Sequence, residues 1–240
     1  MYSITSKVRY SECNLNSVLT IPALINYFQD CSTFHTESIG HGIEHCANNH
    51  FAWFVAAWQI EITRMPRFCE SIEVSTYSYA GRPTMAHRNF VLSSTEGETL
   101  VQADSLWFPF DTQKGRPVRI PESENVLMVD ELAVSLPPTR RKLKLVGEGR
   151  EQASILVTEH HLDTNRHVNN GQYIAMANDI ILATDNAFKV GKLYVQYKNA
   201  AKLGDTIVPF LYEEDNGFAV DLNDGQGTSF AVVRMERKAD

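Results

Sequence analysis

The sequence predicts an α+β protein made of two similar units, each a long helix followed by antiparallel strands. Three observations carry this. A segment beginning at Tyr10 overlays one beginning at Glu159, 149 positions later, with Asn14-Leu15-Asn16 on Asp163-Thr164-Asn165, Val18 on His167 and Asp30 on Asp179. Further along, Ile60-Glu61-Ile62-Thr63-Arg64 overlays Val195-Gln196-Tyr197-Lys198-Asn199 at a smaller offset of 135, as a shorter helix-to-strand connection would produce. In both halves the helical pattern gives way to period-two alternation, the mark of half-buried strands.

In the first half Leu24, Tyr27, Phe28, Cys31 and Phe34 recur at the spacing of one buried helical stripe. Thr20 can cap that helix, and Pro22 is tolerated in a first turn, where its missing N–H would have no partner anyway. Trp58 to Thr63, Ser71 to Thr76 and Ser105 to Phe110 alternate as strands. Ser135-Leu136-Pro137-Pro138-Thr139-Arg140-Arg141-Lys142-Leu143-Lys144, with two prolines and a run of cations, reads as a linker. Beyond it Tyr173, Ile174, Ala177, Ile180 and Ile181 repeat the stripe, and Leu193 to Lys198 and Phe230 to Met235 repeat the strands. Asn216-Gly217 between β-rich runs signals a hairpin turn. The expected division is residues 1–134, a linker at 135–150, and residues 151–240. A sheet with one apolar face must cover it, and a helix lying across it is a natural solution. The alternative is one irregular α+β domain with a chance echo; two separate overlays favour duplication.

Composition narrows the function classes. With 240 residues, 43% of them hydrophobic, the chain can bury a full core. The net charge of −7 argues against nucleic acid as a partner. No apolar run approaches the roughly 20 residues of a membrane span, and the N-terminus lacks a signal-peptide stretch. Cys13, Cys31, Cys46 and Cys69 form no C-x-x-C pair, so reduced thiols in a soluble, cytoplasmic protein are expected.

Asp163, Asn165 and His167 place an acid, a carboxamide and an imidazole within five residues at a helix mouth. Histidine's ordinary pKa of about 6.5 lets it trade a proton near neutrality, and the free N–H groups of a helix start can polarise a carbonyl. Asn169 and Asn170 read as cap or loop residues, and Asp179 as either a support for the site or a polar helix contact. Asn14 and Asn16 repeat the spacing, but Val18 stands where the histidine would be, so the first half reads as catalytically silent. His41 and His45 have a spacing that metals use, with His35 and His50 nearby, yet Glu44 does not complete a convincing set and no metal is expected. His160-His161 reads as a strand end, and Phe51, Trp53, Phe54 and Trp58 as core, with lining of an acyl pocket as a second reading.

These residues together resemble a known family. Asp163-x-Asn165-x-His167-Val168-Asn169-Asn170-x-x-Tyr173-Ile174, with Asp179 twelve positions past the histidine, resembles the C-terminal signature of the acyl-acyl carrier protein thioesterases. Pro22 to Asp30, Phe51-Ala52-Trp53, Ile60-Glu61-Ile62, Arg64-x-Pro66-Arg67, Trp107 and Arg116 to Pro121 are similar to that family's first module. The resemblance covers nearly the whole chain. It implies two tandem hotdog modules, each an antiparallel sheet wrapped on a long central helix.

It also implies hydrolysis of fatty acyl-ACP to free fatty acid and holo-ACP, with no cofactor and no metal. His167 would be the general base or the activator of the hydrolytic water, and Asn165 would hold the water or the substrate carbonyl. Asp163 would orient one of them or act on the thioester more directly. A thioester is already activated, so a positioned water, a base and carbonyl polarisation suffice without a nucleophilic side chain. One departure is plain: Ala200 stands where the family's strand Glu is expected. The implied partner is acyl carrier protein, with no nucleic acid and no membrane, and the chain would be a monomer (an internal pseudo-dimer) or a homodimer. Carrier proteins are acidic, so Arg140, Arg141, Lys142 and Lys144 are candidates for steering, with Arg64, Arg67, Arg88, Arg116 and Arg119 as competing contributors. The alternatives are an acyl-CoA thioesterase of the same fold and a catalytically weak acyl- or acyl-carrier-binding module.

Overall fold

The computed structural model describes residues 1–128, 134, 136–163 and 165–239, with residues 80 and 82 described in their backbone only. It divides into two units, Met1–Arg140 and Arg141–Asp240. The first runs β1 (Tyr2–Lys7), α1 (Ile21–Ser38), α2 (Ile43–Asn48), β2 (Phe51–Ile62), β3 (Ser71–Arg82), β4 (Met85–Ser94), β5 (Thr99–Asp111) and β6 (Arg116–Pro117). The second runs β7 (Arg150–Glu151), β8 (Ile155–Leu156), α3 (Asn170–Thr184), β9 (Val190–Tyr197), β10 (Thr206–Glu214), β11 (Gly217–Asn223) and β12 (Ser229–Arg237). Within the first unit the antiparallel order is β1-β3-β4-β5-β2; within the second it is β7-β10-β11-β12-β9, with β8 also on β10. The two orders match element for element.

Thr20 Oγ1 accepts the Ala23 N–H at 3.4 Å to start α1, with Pro22 in the first turn. The helix lies against β3 and β1 and buries Leu24, Ile25, Tyr27, Phe28 and Cys31. The expected stripe ends there: Phe34 is 50% exposed. Phe28 stands 5.0 Å from Phe90 and 6.0 Å from Trp58, ring centre to ring centre, and full burial of a phenylalanine contributes about 1.5–3 kcal/mol. Residues Val55 to Ile60 are all buried, so β2 is covered on both faces and departs from simple alternation, with a bulge between Val55 and Ala57.

In the second unit α3 packs on β10, β11 and β12 through Tyr173, Ile174, Ala177 and Ile181, leaving Ile180 only half-buried. The expected hairpin joins β10 to β11, but its turn is Asp215-Asn216, because Gly217 already pairs with Glu214. Gly217 is required by a close approach: a Cβ there would lie 2.1 Å from the Met235 carbonyl oxygen. The segment read as a linker is anchored at both ends. Thr139 donates its N–H to Asp104 Oδ2 at 2.6 Å in the first unit, and Leu143 donates its N–H to Gln196 Oε1 at 3.0 Å in the second. Ser135, the first residue of the expected linker, lies outside the described residues.

Candidate active site

The loop ahead of α3 is built by one side chain. Leu162 bridges Val168 across a tight turn, and the Asp163 N–H donates to the His167 carbonyl at 2.8 Å. Inside that turn Asp163 Oδ1 accepts the N–H of Asn165 at 2.8 Å and of His167 at 3.3 Å. Arg166 closes it in the left-handed region, at φ 60°. Asn169 then caps α3, its Oδ1 accepting the Gly171 N–H at 2.8 Å. Asn165 is thus carried exposed at the loop tip and His167 half-buried beside it. Among the described residues neither side chain has a hydrogen bond of its own; Thr164, the residue before Asn165, lies outside those residues.

The same loop occurs in the first unit without the chemistry. Cys13 bridges Leu19, the Asn14 N–H donates to the Val18 carbonyl at 2.9 Å, and Ser17 is left-handed at φ 57°. Asn14 Oδ1 accepts the N–H groups of Asn16 and Val18 at 3.0 and 3.2 Å. An amide oxygen therefore does the carboxylate's structural work, and valine occupies the imidazole's place. Each loop is also held by a carbonyl from a later segment: Val168 donates to Ala201 at 3.0 Å, and Leu19 donates to Pro66 at 2.9 Å. That second pair keeps the 135-residue offset read from the sequence.

Ala200 stands one residue before this contact, exposed and next in line to the histidine loop. Its neighbours are committed elsewhere. Asn199 Nδ2 donates to the Ser229 carbonyl at 2.8 Å, and the Ala201 N–H donates to Tyr173 Oη at 2.9 Å. Burial pushes the Tyr173 hydroxyl up to about 12, so it stays neutral. Tyr197 donates to the Asn170 carbonyl at 3.0 Å, tying β9 to the start of α3.

Other residues singled out in the sequence fall differently. His160 and His161 lie on a 3-10 turn (Glu159–His161), not at a strand end, and His161 Nδ1 accepts the Thr158 N–H at 2.9 Å. Asp179 sits on the exposed side of α3, where partial burial lifts its carboxyl and Asn178 partly offsets this. Arg88 is only 6% exposed and belongs to the interior rather than to any cationic surface. Arg64 is held by Glu70 and Glu98 at 2.8 and 2.6 Å. Arg140, Arg141, Lys142 and Lys144 are all exposed. Two polar clusters were not assembled by the sequence reading, which paired His41 with His45 but did not reach the distant carboxylates at their centres. Asp104 gathers Tyr79, His87, Asn89 and Thr139, and Glu124 gathers His41, His45 and Trp53.

Comparison with known proteins places this chain in a family. Residues 1–126 match the acyl-ACP thioesterase N-terminal domain, and residues 148–236 match the acyl-ACP thioesterase C-terminal domain. The chain belongs to the acyl-ACP thioesterase family. An acyl-ACP thioesterase from Bacteroides thetaiotaomicron superposes with a TM-score of 0.88 at 21% identity, covering 98% of this chain and 97% of that one. This likeness fixes the fold as two tandem hotdog modules. The chloroplastic acyl-[acyl-carrier-protein] hydrolase FATB3 of Cuphea viscosissima is 29% identical over 181 residues, 70% of this chain and 44% of that protein. A chloroplastic palmitoyl-acyl carrier protein thioesterase of Gossypium hirsutum is 26% identical over 255 residues, covering all of this chain and 62% of that protein. The chain therefore spans less than two thirds of the length of these relatives.

Proposed function

We propose that the chain hydrolyses the thioester of fatty acyl-ACP to a free fatty acid and holo-ACP, with the Asp163 loop as its catalytic element. The observation that carries this is the pairing of Asn165 and His167 on a turn that Asp163 Oδ1 holds from both sides. The sister loop with valine in place of histidine shows that the fold does not need the imidazole there. In this reading His167 takes a proton from water as its oxygen attacks the thioester carbonyl. Asn165 donates to the carbonyl oxygen as negative charge develops on it. Collapse of the tetrahedral intermediate breaks the C–S bond, and the proton passes to the departing thiolate. Asp163 acts as a positioning residue, through the backbone it orders.

Free-thiol release from a panel of acyl-ACPs, measured for the wild type and for His167→Ala, tests the reading. A general base contributes about 10²–10⁴-fold, so His167→Ala is expected to lose at least about 10²-fold in kcat. Turnover unchanged by His167→Ala would overturn the assignment. A second reading, a weakly catalytic acyl-carrier-binding module, is favoured by Ala200, which brings no carboxylate to the histidine loop. Acyl-ACP binding without turnover in the wild type would select it, and turnover of acyl-CoA alone would move the substrate to the CoA thioester.

A further inference from the structure

In the first unit a carboxylate and two imidazoles meet where no catalytic role has been assigned. His41 follows α1, His45 lies on α2, and Glu124 comes from a 3-10 turn (Glu122–Leu127) about eighty residues later. Glu124 Oε1 lies 2.9 Å from His41 Nδ1 and 3.1 Å from His45 Nε2, and the three donor atoms are all within 4.8 Å of one another. The other oxygen, Oε2, accepts the Trp53 Nε1 proton at 3.1 Å from β2. Cys46 Sγ is directed at the His41 carbonyl, 3.9 Å away, and stays outside the set.

The Glu124 side chain is 0% exposed, whereas those of His41 and His45 are 18% and 23% exposed. Among the described residues its partners are the two histidines, Trp53 and Ser123, with no lysine or arginine. A carboxylate withdrawn from water needs positive charge beside it, or its ionised form is costly. Two imidazoles and one carboxylate are also the donor set of three-ligand zinc sites, which keep a fourth position open. With zinc bonds of about 2.0–2.2 Å, tetrahedral donors stand about 3.3–3.6 Å apart, so the two Glu124–histidine spacings of 2.9 and 3.1 Å need only a few tenths of an ångström of opening, and the two ring nitrogens lie within 4.8 Å of each other. The partly exposed imidazoles leave an entry path, and the Trp53 N–H fixes the carboxylate as an outer-shell partner does.

We infer that His41, His45 and Glu124 form a divalent-cation site of the zinc class, tying the end of α1, α2 and the Glu122–Leu127 turn together on the catalytically silent module. The site is independent of the histidine loop. Zn²⁺ titrated into the chelator-stripped 240-residue chain against a competing dye should bind one equivalent and raise the thermal midpoint. His45→Gln and Glu124→Gln should each weaken that binding at least tenfold, while His160→Ala should leave it unchanged. Glu124→Gln keeps the size of the side chain while removing its charge and one acceptor oxygen, and circular dichroism checks that each variant folds. The ring-nitrogen NMR signals of His41 and His45 in the wild type should move to metal-bound positions, a readout that needs no variant. Absence of stoichiometric binding, binding retained in both variants, or unmoved His41 and His45 signals would overturn the site.

Discussion

Asp163 Oδ1 accepts the backbone N–H of His167 at 3.3 Å while accepting that of Asn165 at 2.8 Å, so one oxygen sets the spacing between the amide and the imidazole. The relationship is geometric before it is electrostatic, since Asn14 makes the same pair of bonds in the sister loop with a neutral oxygen.

Asp163→Asn should therefore leave the loop folded, and Asp163→Ala should not. Two lost hydrogen bonds of about 0.5–1.5 kcal/mol each predict a loss of about 1–2 kcal/mol for the alanine variant, allowing for solvation of the half-buried amides. The asparagine variant should stay within about 0.5 kcal/mol of wild type in urea unfolding. In thiol-release assays Asp163→Asn should keep kcat within about tenfold of wild type, whereas Asp163→Ala should fall towards His167→Ala. A collapse in the asparagine variant would show that the charge acts directly.

Stability should fall with acid below about pH 6.5, where the His35 imidazole charges only in the unfolded chain. Burial and the neighbouring Arg88 guanidinium hold the His35 imidazole down at about 4, and Arg88 Nη1 donates to His35 Nδ1 at 3.1 Å, which requires that nitrogen unprotonated. In the unfolded chain a histidine titrates near 6.5, so between about 4 and 6.5 the unfolded state binds the extra proton. The contribution is fully present above about 6.5 and is lost as pH falls towards 4. Unfolding free energy measured across that window should rise with pH in the wild type, with a flatter slope in His35→Gln.

The two units offer a controlled comparison at Cys69 and Gly204. Both N–H groups donate to equivalent carbonyls, Val8 and Val157, at 3.0 Å, and both residues are left-handed, at φ 64° and 85°. A side chain in that region costs about 1–2 kcal/mol, partly offset by glycine's greater freedom when unfolded, about 0.4–1 kcal/mol. Cys69→Gly should stabilise by roughly 0.5–1 kcal/mol in urea unfolding. Gly204→Ala should destabilise by a similar amount; equal stability in both variants would refute the comparison.

Charge reversal in the segment that joins the units tests carrier docking. Arg140→Glu, Arg141→Glu, Lys142→Glu and Lys144→Glu combined should raise KM for acyl-ACP and leave kcat nearly unchanged. Added salt should weaken the wild type and barely affect the variant, since exposed charges are screened over about 10 Å at 0.1 M ionic strength. An unaltered KM would remove this segment from docking.

Much of this was legible without coordinates because it is local or periodic. The stripes over α1 and α3, the Thr20 and Asn169 caps, and the proximity of Asp163, Asn165 and His167 all lie within a few turns of chain. The duplication was legible because both overlays reflect real hydrogen-bond equivalences, down to Pro66 and Ala201. Phe34 and Asn216-Gly217 missed by one turn and one residue, where stripe ends and hairpin registers depend on what lies opposite. Burial of Val55 to Ile60 on both faces of β2, and of Arg88 in the interior, could not be read from alternation or charge.

The sequence by itself determined the two-unit α+β plan, the family resemblance, and which half carries the histidine, because helix periodicity, caps and a five-residue motif are short-range properties. Only the tertiary structure decided that Asp163 works through two backbone N–H groups, that Ala201 supports the loop, and that Glu124 meets His41 and His45. The first turns on where one side chain points inside a tight turn; the other two join residues tens of positions apart, and strand pairing with helix packing, not spacing along the chain, sets their distances.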